Sequence, residues 1–361
     1  MRSKANQPKK VLFWVPSPLG ISPGQRFRFE HYLPFLTENN ISYKVSPFLS
    51  MRGRKRLYSP GNILGKIRAL GGGYLRRLGD LFALHKYDYV YVHRWAAIAG
   101  PPFFEWMAAK VFRKKIIYDF DDSIWVGEST YNKRFLAIKF LGKIGRICRW
   151  ASLVTVGNEY LKNFAVNFNK NVIIIPTVVN TNDIHNKLQE HHTNKPAVGW
   201  TGSFSTLVYL DMIVPVINHL QDKYDFTFYV IADRDPRLPV KNYQFIKWSS
   251  EHELEDLLQF HIGLMPLTDD PITRGKCGFK AIQYMSIGVP AIVSPVGVNT
   301  KIVDNGINGF IADNDSEWEQ QIAKLLEDED LRKKMGLLAR KKIEEQYSVT
   351  ATKDQFINIF N

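Results

Sequence analysis

The sequence predicts an α/β protein built from two doubly wound parallel sheets, and three observations carry that prediction. At 361 residues the chain exceeds one ordinary core, and its 45% hydrophobic and 13% aromatic content can fill two. Short β-branched and aromatic runs alternate with longer helical patterns along its length, as strands do when helices cover both faces of a sheet. Between the two series, "TVVNTNDIHNKLQEHHTNKP" (177–196) is polar and without period, and it reads as the interdomain connection.

In chain order the expected strands are "KVLFWV", "DYVYVH", "KIIYDF", "LVTVG" and "NVIIIP", then "AVGW", "FTFYVIA", "IGLMPL" and "PAIVS". They place one domain at residues 1–178 and a second at 195–346. No repeat of fixed period is present, although both halves follow the same plan. The opening "MRSKANQPKKVLFWVPSPLG" mimics a signal peptide. Its apolar run is broken by Pro16 and Pro18 and no small-residue cleavage site follows, so it reads as a first strand. The most apolar stretch, "AAIAGPPFFEWMAAKVF", holds two prolines, Glu105 and Lys110, which argues against a membrane span. Cys148 and Cys277 are the only cysteines, which permits no disulfide framework and fits a reducing, cytoplasmic compartment.

Charge is unevenly divided. Residues 1–180 hold 29 Lys and Arg against 10 Asp and Glu, whereas residues 181–361 hold 19 against 25. An excess confined to the first half points to an anionic partner: a membrane surface, a phosphorylated substrate or nucleic acid. Within that half, the insertion 51–86 places Ile63, Leu64, Ile67, Leu70, Leu75, Leu78, Leu81 and Phe82 at helical spacing among Lys66, Arg68, Arg76 and Arg77, behind the Arg52–Arg56 cluster. Such a segment suits anionic headgroups, or else forms a pair of surface helices packing inward. Nucleic acid is the weaker reading, because aromatics are not interleaved with the cations as a stacking platform requires.

Ligands of open parallel sheets bind beyond the carboxyl ends of strands, so the residues there are the site candidates. After the first strand, Gly20 and Gly24 give a flexible loop, with Arg26 and Arg28 opening the next helix. The loop lacks a G-x-G-x-x-G fingerprint, which argues against a classical dinucleotide site. His93 and Arg94 follow another strand. Asp119, Asp121 and Asp122 follow "KIIY", where they could hold a metal, orient substrate hydroxyls, act as a base, or simply cap a helix or pair with the surplus arginines. In the second half, Gly202 and Ser203 make an amide-rich turn suited to phosphate, ahead of a helix expected from about Thr206. In "RGKCGFKAIQYMSIGVPAIVSPVGV" (274–298), Gly278 introduces a helix with Lys280 in its first turn and Arg274 and Lys276 just before. Cations there oppose the helix dipole and cost stability unless an anion sits with them. Gly288 suits a left-handed helix end, and Pro290 bars continuation before the next strand.

This C-terminal motif, together with "GWTGS", "YDFDDSIW", "VTVGNEYL" and "PGQRFRFEHYLPFL", resembles the retaining glycosyltransferases of family four, in order and over nearly the whole chain. The resemblance implies the GT-B fold: two Rossmann-like domains facing each other across a cleft, with acceptor on the first and nucleotide-diphosphate sugar on the second. It implies that the final segment, 347–361, is a helix that crosses back to the first domain. It places Gln283 where the family has its second ribose-binding Glu and Gly275 where it has the first, leaving Asp269 or Asp270 as substitutes for the donor-sugar carboxylate. The family's Arg and Lys after the first strand of the second domain are absent from "GWTGSFS", so diphosphate neutralisation falls to Lys280 with Lys276 or Arg274. Asp121 stands where many members carry a histidine near the reacting centre.

The expected donor site is thus Gly202, Ser203, Asp269, Asp270, Arg274, Gly278, Phe279 and Gln283, with Lys276 and Lys280 acting on the leaving group. The expected acceptor site is Gly24, Arg26, Arg28, His93, Arg94, Asp119 and Asp122, around Asp121. Neither a cofactor nor a metal is expected, because lysines replace the metal. The expected partners are a nucleotide sugar, a glycan or lipid-linked acceptor and the inner face of the cytoplasmic membrane, in surface polysaccharide or glycolipid synthesis. Rival readings are a metal-dependent sugar-nucleotide enzyme built on the three aspartates, an epimerase or hydrolase on the same fold, and a noncatalytic nucleic-acid module.

Overall fold

The computed structural model describes residues 8–59, 61–126 and 140–361. The chain divides into two units, one of residues 1–176 with 353–361 and one of residues 177–352. In the first, β1 (Lys9–Val15), β2 (Ile41–Pro47), β3 (Tyr89–His93), β4 (Lys115–Phe120), β5 (Leu153–Val156) and β6 (Val172–Ile174) form a parallel sheet in the order β2-β1-β3-β4-β5-β6. Burial explains the central strands: Val11 to Val15 and Val90 to Val92 are closed off, and so are Ile116 to Phe120. The strand order reverses between β1 and β3, so their carboxyl ends open onto the switch point.

Four helices of this unit bear on its surface: α1 (Pro23–Arg26), α2 (Leu33–Glu38), α3 (Met51–Tyr58) and α4 (Ile63–Ala83). The last two make up most of the basic insertion. Ser50 and Asn62 cap them through side-chain oxygens that accept from Gly53 N and Gly65 N, at 3.1 and 2.9 Å. The inward face of α4 is mostly small and charged, running Gly65, Ala69, Gly73, Arg77 and Asp80, with Leu81 its one large apolar residue. A Cβ on Gly73 would lie 2.6 Å from the Phe48 ring, so glycine is what lets the helix lie this close. Fully buried Arg77 donates to Ala96 O, Ser46 Oγ, Asp80 Oδ2 and Val15 O at 2.8–3.1 Å. Arg77 is therefore a structural ion, whereas Ile63, Leu64, Ile67, Leu75, Leu78 and Phe82 all point outward.

Residues 353–361 complete the core of this unit. Phe356 stacks on Tyr32 at 4.3 Å, Phe360 meets Tyr89 edge-on, and Gln355 Nε2 donates to Ile174 O at 2.9 Å.

The second unit holds β7 (Ala197–Gly202), β8 (Thr227–Ala232), β9 (Tyr243–Lys247), β10 (Ile262–Met265), β11 (Ala291–Val293) and β12 (Gly309–Ile311), parallel and ordered β12-β11-β10-β7-β8-β9. Its switch point lies between β7 and β10. The polar stretch 177–196 is fastened to this unit: Arg340 donates to His185 O and Thr181 O, and Gln189 N donates to Ile287 O. After β7 the chain enters a 3-10 helix, Phe204–Met212, in place of the α-helix expected from Thr206. Gly288 ends the helix Phe279–Ser286 with φ +75°, as its position predicts.

Candidate functional site

In the second unit Gly202 and Lys280, two of the expected residues, meet at the carboxyl end of β7. The Trp200 indole, buried near the end of β7, is the common reference. A Cβ on Gly202 would lie 2.3 Å from this ring, which is why the turn needs glycine, and Lys280 Nζ lies 5.1 Å from the ring centroid. Lys276 Nζ is 5.9 Å from the Tyr209 ring. Gly278 supplies the left-handed turn, φ +67°, that starts the helix Phe279–Ser286, whose first turn contains no acidic residue. Phe279 and Lys280 open that helix, both half-buried. Gly297, φ +58°, brings the next turn against the Arg274 carbonyl, where a Cβ would sit 2.8 Å from the oxygen. Tyr284 ties the two strands across the switch, accepting from Thr201 N at 2.9 Å and donating to Leu264 O at 3.3 Å.

The carboxylates of "PLTDDP" divide their labour. Asp269 takes the Arg274 guanidinium through two bonds of 2.6 and 2.8 Å on the open surface, and this hydrogen bond holds its carboxyl below the usual range. Asp270 accepts from Ile272 N, Thr273 N and Thr268 Oγ1 at 2.8–3.0 Å and builds the turn. Burial pushes Asp270 up, but these donors outweigh it and its pKa falls. Gln283, expected at the ribose, is 2% exposed and donates to Glu253 Oε1 at 3.4 Å; Trp248 Nε1 donates to the same oxygen at 3.2 Å. At the phosphate turn, Ser203 shares a hydroxyl contact with Ser205, and Phe204 N donates to Asp233 Oδ1 at 2.6 Å, so a carboxylate already holds that amide.

In the first unit, the expected acceptor residues separate into an open group and a closed one. Arg94 Nε and Nη2 both reach Asp121 Oδ1 at 2.8 Å, with Asp122 Oδ2 at 4.0 Å from Nη2. Gly24 comes in from the loop after β1, where a Cβ would stand 3.1 Å from Asp121 Oδ2 and 3.2 Å from Arg94 Nη2. Gly24, Arg94, Asp121 and Asp122 therefore meet at the carboxyl ends of β1, β3 and β4. By contrast Arg28, His93 and Asp119, expected to face an acceptor, are 1% exposed and face one another. Asp119 receives His93 Nδ1 at 2.8 Å, Thr155 Oγ1 at 2.7 Å and the Arg28 guanidinium, which also donates to Ile175 O. Burial works against ionisation of Asp119, but Arg28 and His93 more than offset it and hold the carboxyl far below its usual range. Arg26 is buried too, lying over the Phe27 ring at 4.9 Å. With Asp119 turned inward, the three aspartates do not converge. Among the described residues no group of three or more His, Cys, Asp or Glu is placed to hold a metal ion.

Gln25 and Glu30 were not foreseen as part of this loop. Gln25 exchanges two bonds with Ser17 and donates to Glu30, which receives Gly20 N at 2.8 Å. Asp233 stands directly after β8, where the strand-end rule could have found it; buried Glu253 leaves no sequence signal of that kind.

Residues 183–342 match the family described as Glycosyl transferases group 1. The matched span lies within the second unit and includes every donor candidate. No curated protein matches the chain by sequence. Among solved structures, sucrose-phosphate synthase from Thermosynechococcus elongatus superposes with TM-score 0.71 at 12% identity, covering 98% of each chain. A glycosyltransferase from Rickettsia africae gives 0.69 at 15% identity, again over 98% of each chain. Anabaena HepE in complex with UDP and glucose gives 0.66 at 16% identity, over 97% of this chain and 99% of that one. Likeness at such identities shows the fold: two doubly wound α/β units of GT-B type. No described helix is long and apolar enough to cross a membrane.

Proposed function

We propose that the protein is a retaining glycosyltransferase that moves a sugar from a nucleotide-diphosphate sugar to a glycan or lipid-linked acceptor at the inner face of the cytoplasmic membrane, in surface polysaccharide or glycolipid synthesis. The observation that carries this reading is the placement of Lys280 beside Trp200 at the β7/β10 switch, in a helix start that contains no acid. The group 1 match over 183–342 and the glycosyltransferase neighbours support it.

Departure of the sugar builds negative charge on the leaving phosphate. Lys280 and Lys276, with the helix-end amides, are poised to stabilise that charge as it develops. Arg274, held by Asp269, lines the approach. In the first unit Arg94 fixes the Asp121 carboxylate, which orients the acceptor hydroxyl beside Gly24. With retention, the leaving phosphate takes the acceptor proton, and no protein nucleophile is needed.

The test is a panel of nucleotide sugars screened for thermal stabilisation, followed by product analysis with the stabilising donor. Lys280→Ala should abolish the stabilisation and lower kcat/KM by about 10²–10³, with activity surviving a chelator in the parent protein. Unchanged kinetics in the variant would sink the phosphate role, and an inverted product anomer would sink retention.

A further inference from the structure

We propose that the outward face of α4 is a membrane-docking surface that sinks into an anionic lipid bilayer. This deepens the membrane placement proposed above but rests on the surface of the first unit alone and on no step of sugar transfer.

A helix on a water-soluble domain ordinarily turns its apolar stripe inward. The helix α4 does the opposite. Leu64, Ile67, Leu75, Leu78 and Phe82 follow one another on a single stripe through Gly71, and Leu64, Leu75 and Phe82 are 72%, 70% and 80% exposed. The inversion is built in, because the opposite face is committed to the fold. Ala69 packs against Gly53 of α3, Gly73 lets the backbone approach Phe48, and Arg77 and Asp80 are locked in a buried hydrogen-bonded cluster. The helix cannot roll its leucines inward without losing that close approach and exposing the ion pair.

Charge selects the occupant. Residues 51–86 hold nine Lys and Arg and one acid, Asp80, which is buried against Arg77. Arg52, Lys55, Arg56, Arg68 and Lys86 are exposed. A second copy pairing through this same face would bring like charge to like, whereas an anionic bilayer offers hydrocarbon to the stripe and phosphates to its rim. An aromatic series continues from the helix: Tyr74 lies 6.0 Å from Phe104, and Phe103 lies 5.4 Å from Phe104 and 6.4 Å from Trp106. Phe103 and Trp106 are themselves exposed, and Trp106 is of the amphipathic type favoured at the headgroup level.

The experiment is flotation of the full chain with vesicles of phosphatidylcholine, alone or mixed with phosphatidylglycerol. Flotation with the mixed vesicles, weakened by salt and lowered about tenfold or more by Leu75→Ser combined with Phe82→Ser, is the expected result. Leu337→Ser, an exposed leucine of the second unit, should leave it unchanged. Equal flotation of parent and double variant overturns the proposal, as does failure of the parent to float. So does self-association in sedimentation velocity that the double variant abolishes, since that would make the face a contact between copies. A chain that floats but transfers no sugar would remove the glycosyltransferase reading and leave this one intact.

Discussion

Arg94 has φ +60°, a left-handed conformation that a side-chain-bearing residue adopts at a cost. Its N–H donates to Asp119 O at 2.7 Å, and its carbonyl accepts from Tyr118 Oη at 2.8 Å, so the neighbouring strand holds it there and delivers its guanidinium to Asp121. Behind it, the Asp119 carboxylate is the counter-ion of buried Arg28. Asp119→Asn should destabilise the first unit by about 3–5 kcal/mol, the cost of leaving a buried cation unmatched, read as a lower urea midpoint by tryptophan fluorescence at neutral pH. Because the folded carboxyl is held below its unfolded pKa of about 3.9, its contribution is complete above that pH and fades as acid is added. The gap between parent and variant should therefore narrow in strong acid, and a gap unchanged from neutral pH down would refute the ionic account. Sequence pattern identified the strand-end carboxylates here but not their division. Asp119 and Asp121 lie two apart on an emerging strand, and only the positions of Arg28 and Arg94 decide which is buried and which is open. Lys280 was legible because its charge opposes the helix end it occupies; Glu253 and Gln25 were not, being single polar residues whose partners are distant.

Among the elements, the strands foreseen were mostly those enclosed by neighbours, where a continuous apolar run is required on both faces. The strands missed, β2, β9 and β12, each stand at a sheet edge; "ISYKVSP" and "YQFIK" are half-exposed, and "GFI" is three residues long. Helix α4 gives the sharpest elemental prediction, because its glycines are unlike one another. A Cβ at Gly71 meets nothing within 4 Å, and one at Gly73 meets Phe48. Gly71→Ala should stabilise by up to about 1 kcal/mol through helix propensity, and Gly73→Ala should cost about 1–3 kcal/mol through overpacking. Denaturant midpoints of the two variants check this, and equal shifts would refute the assigned inward face.

For the whole molecule, acid is the expected weakness, since each unit carries a histidine kept neutral by its surroundings. Burial, helped by Arg26, lowers His31 to about 4, and burial with His191 and Arg332 lowers His261 to about 4. The unfolded chain takes up these protons near pH 6.5, so the folded state loses stability as pH falls from there toward 4. Calorimetry should show melting temperature dropping over that window, and His261→Gln should flatten the drop in the second unit; an unaltered slope would exclude His261 as a source. The first unit carries a further constraint in time. Phe356 and Phe360 fill its core beside Tyr32 and Tyr91, yet they are translated after residues 177–352. A nascent chain emerging from the ribosome must therefore hold its leading sheet with an unfilled hole until synthesis has passed through all of the trailing one.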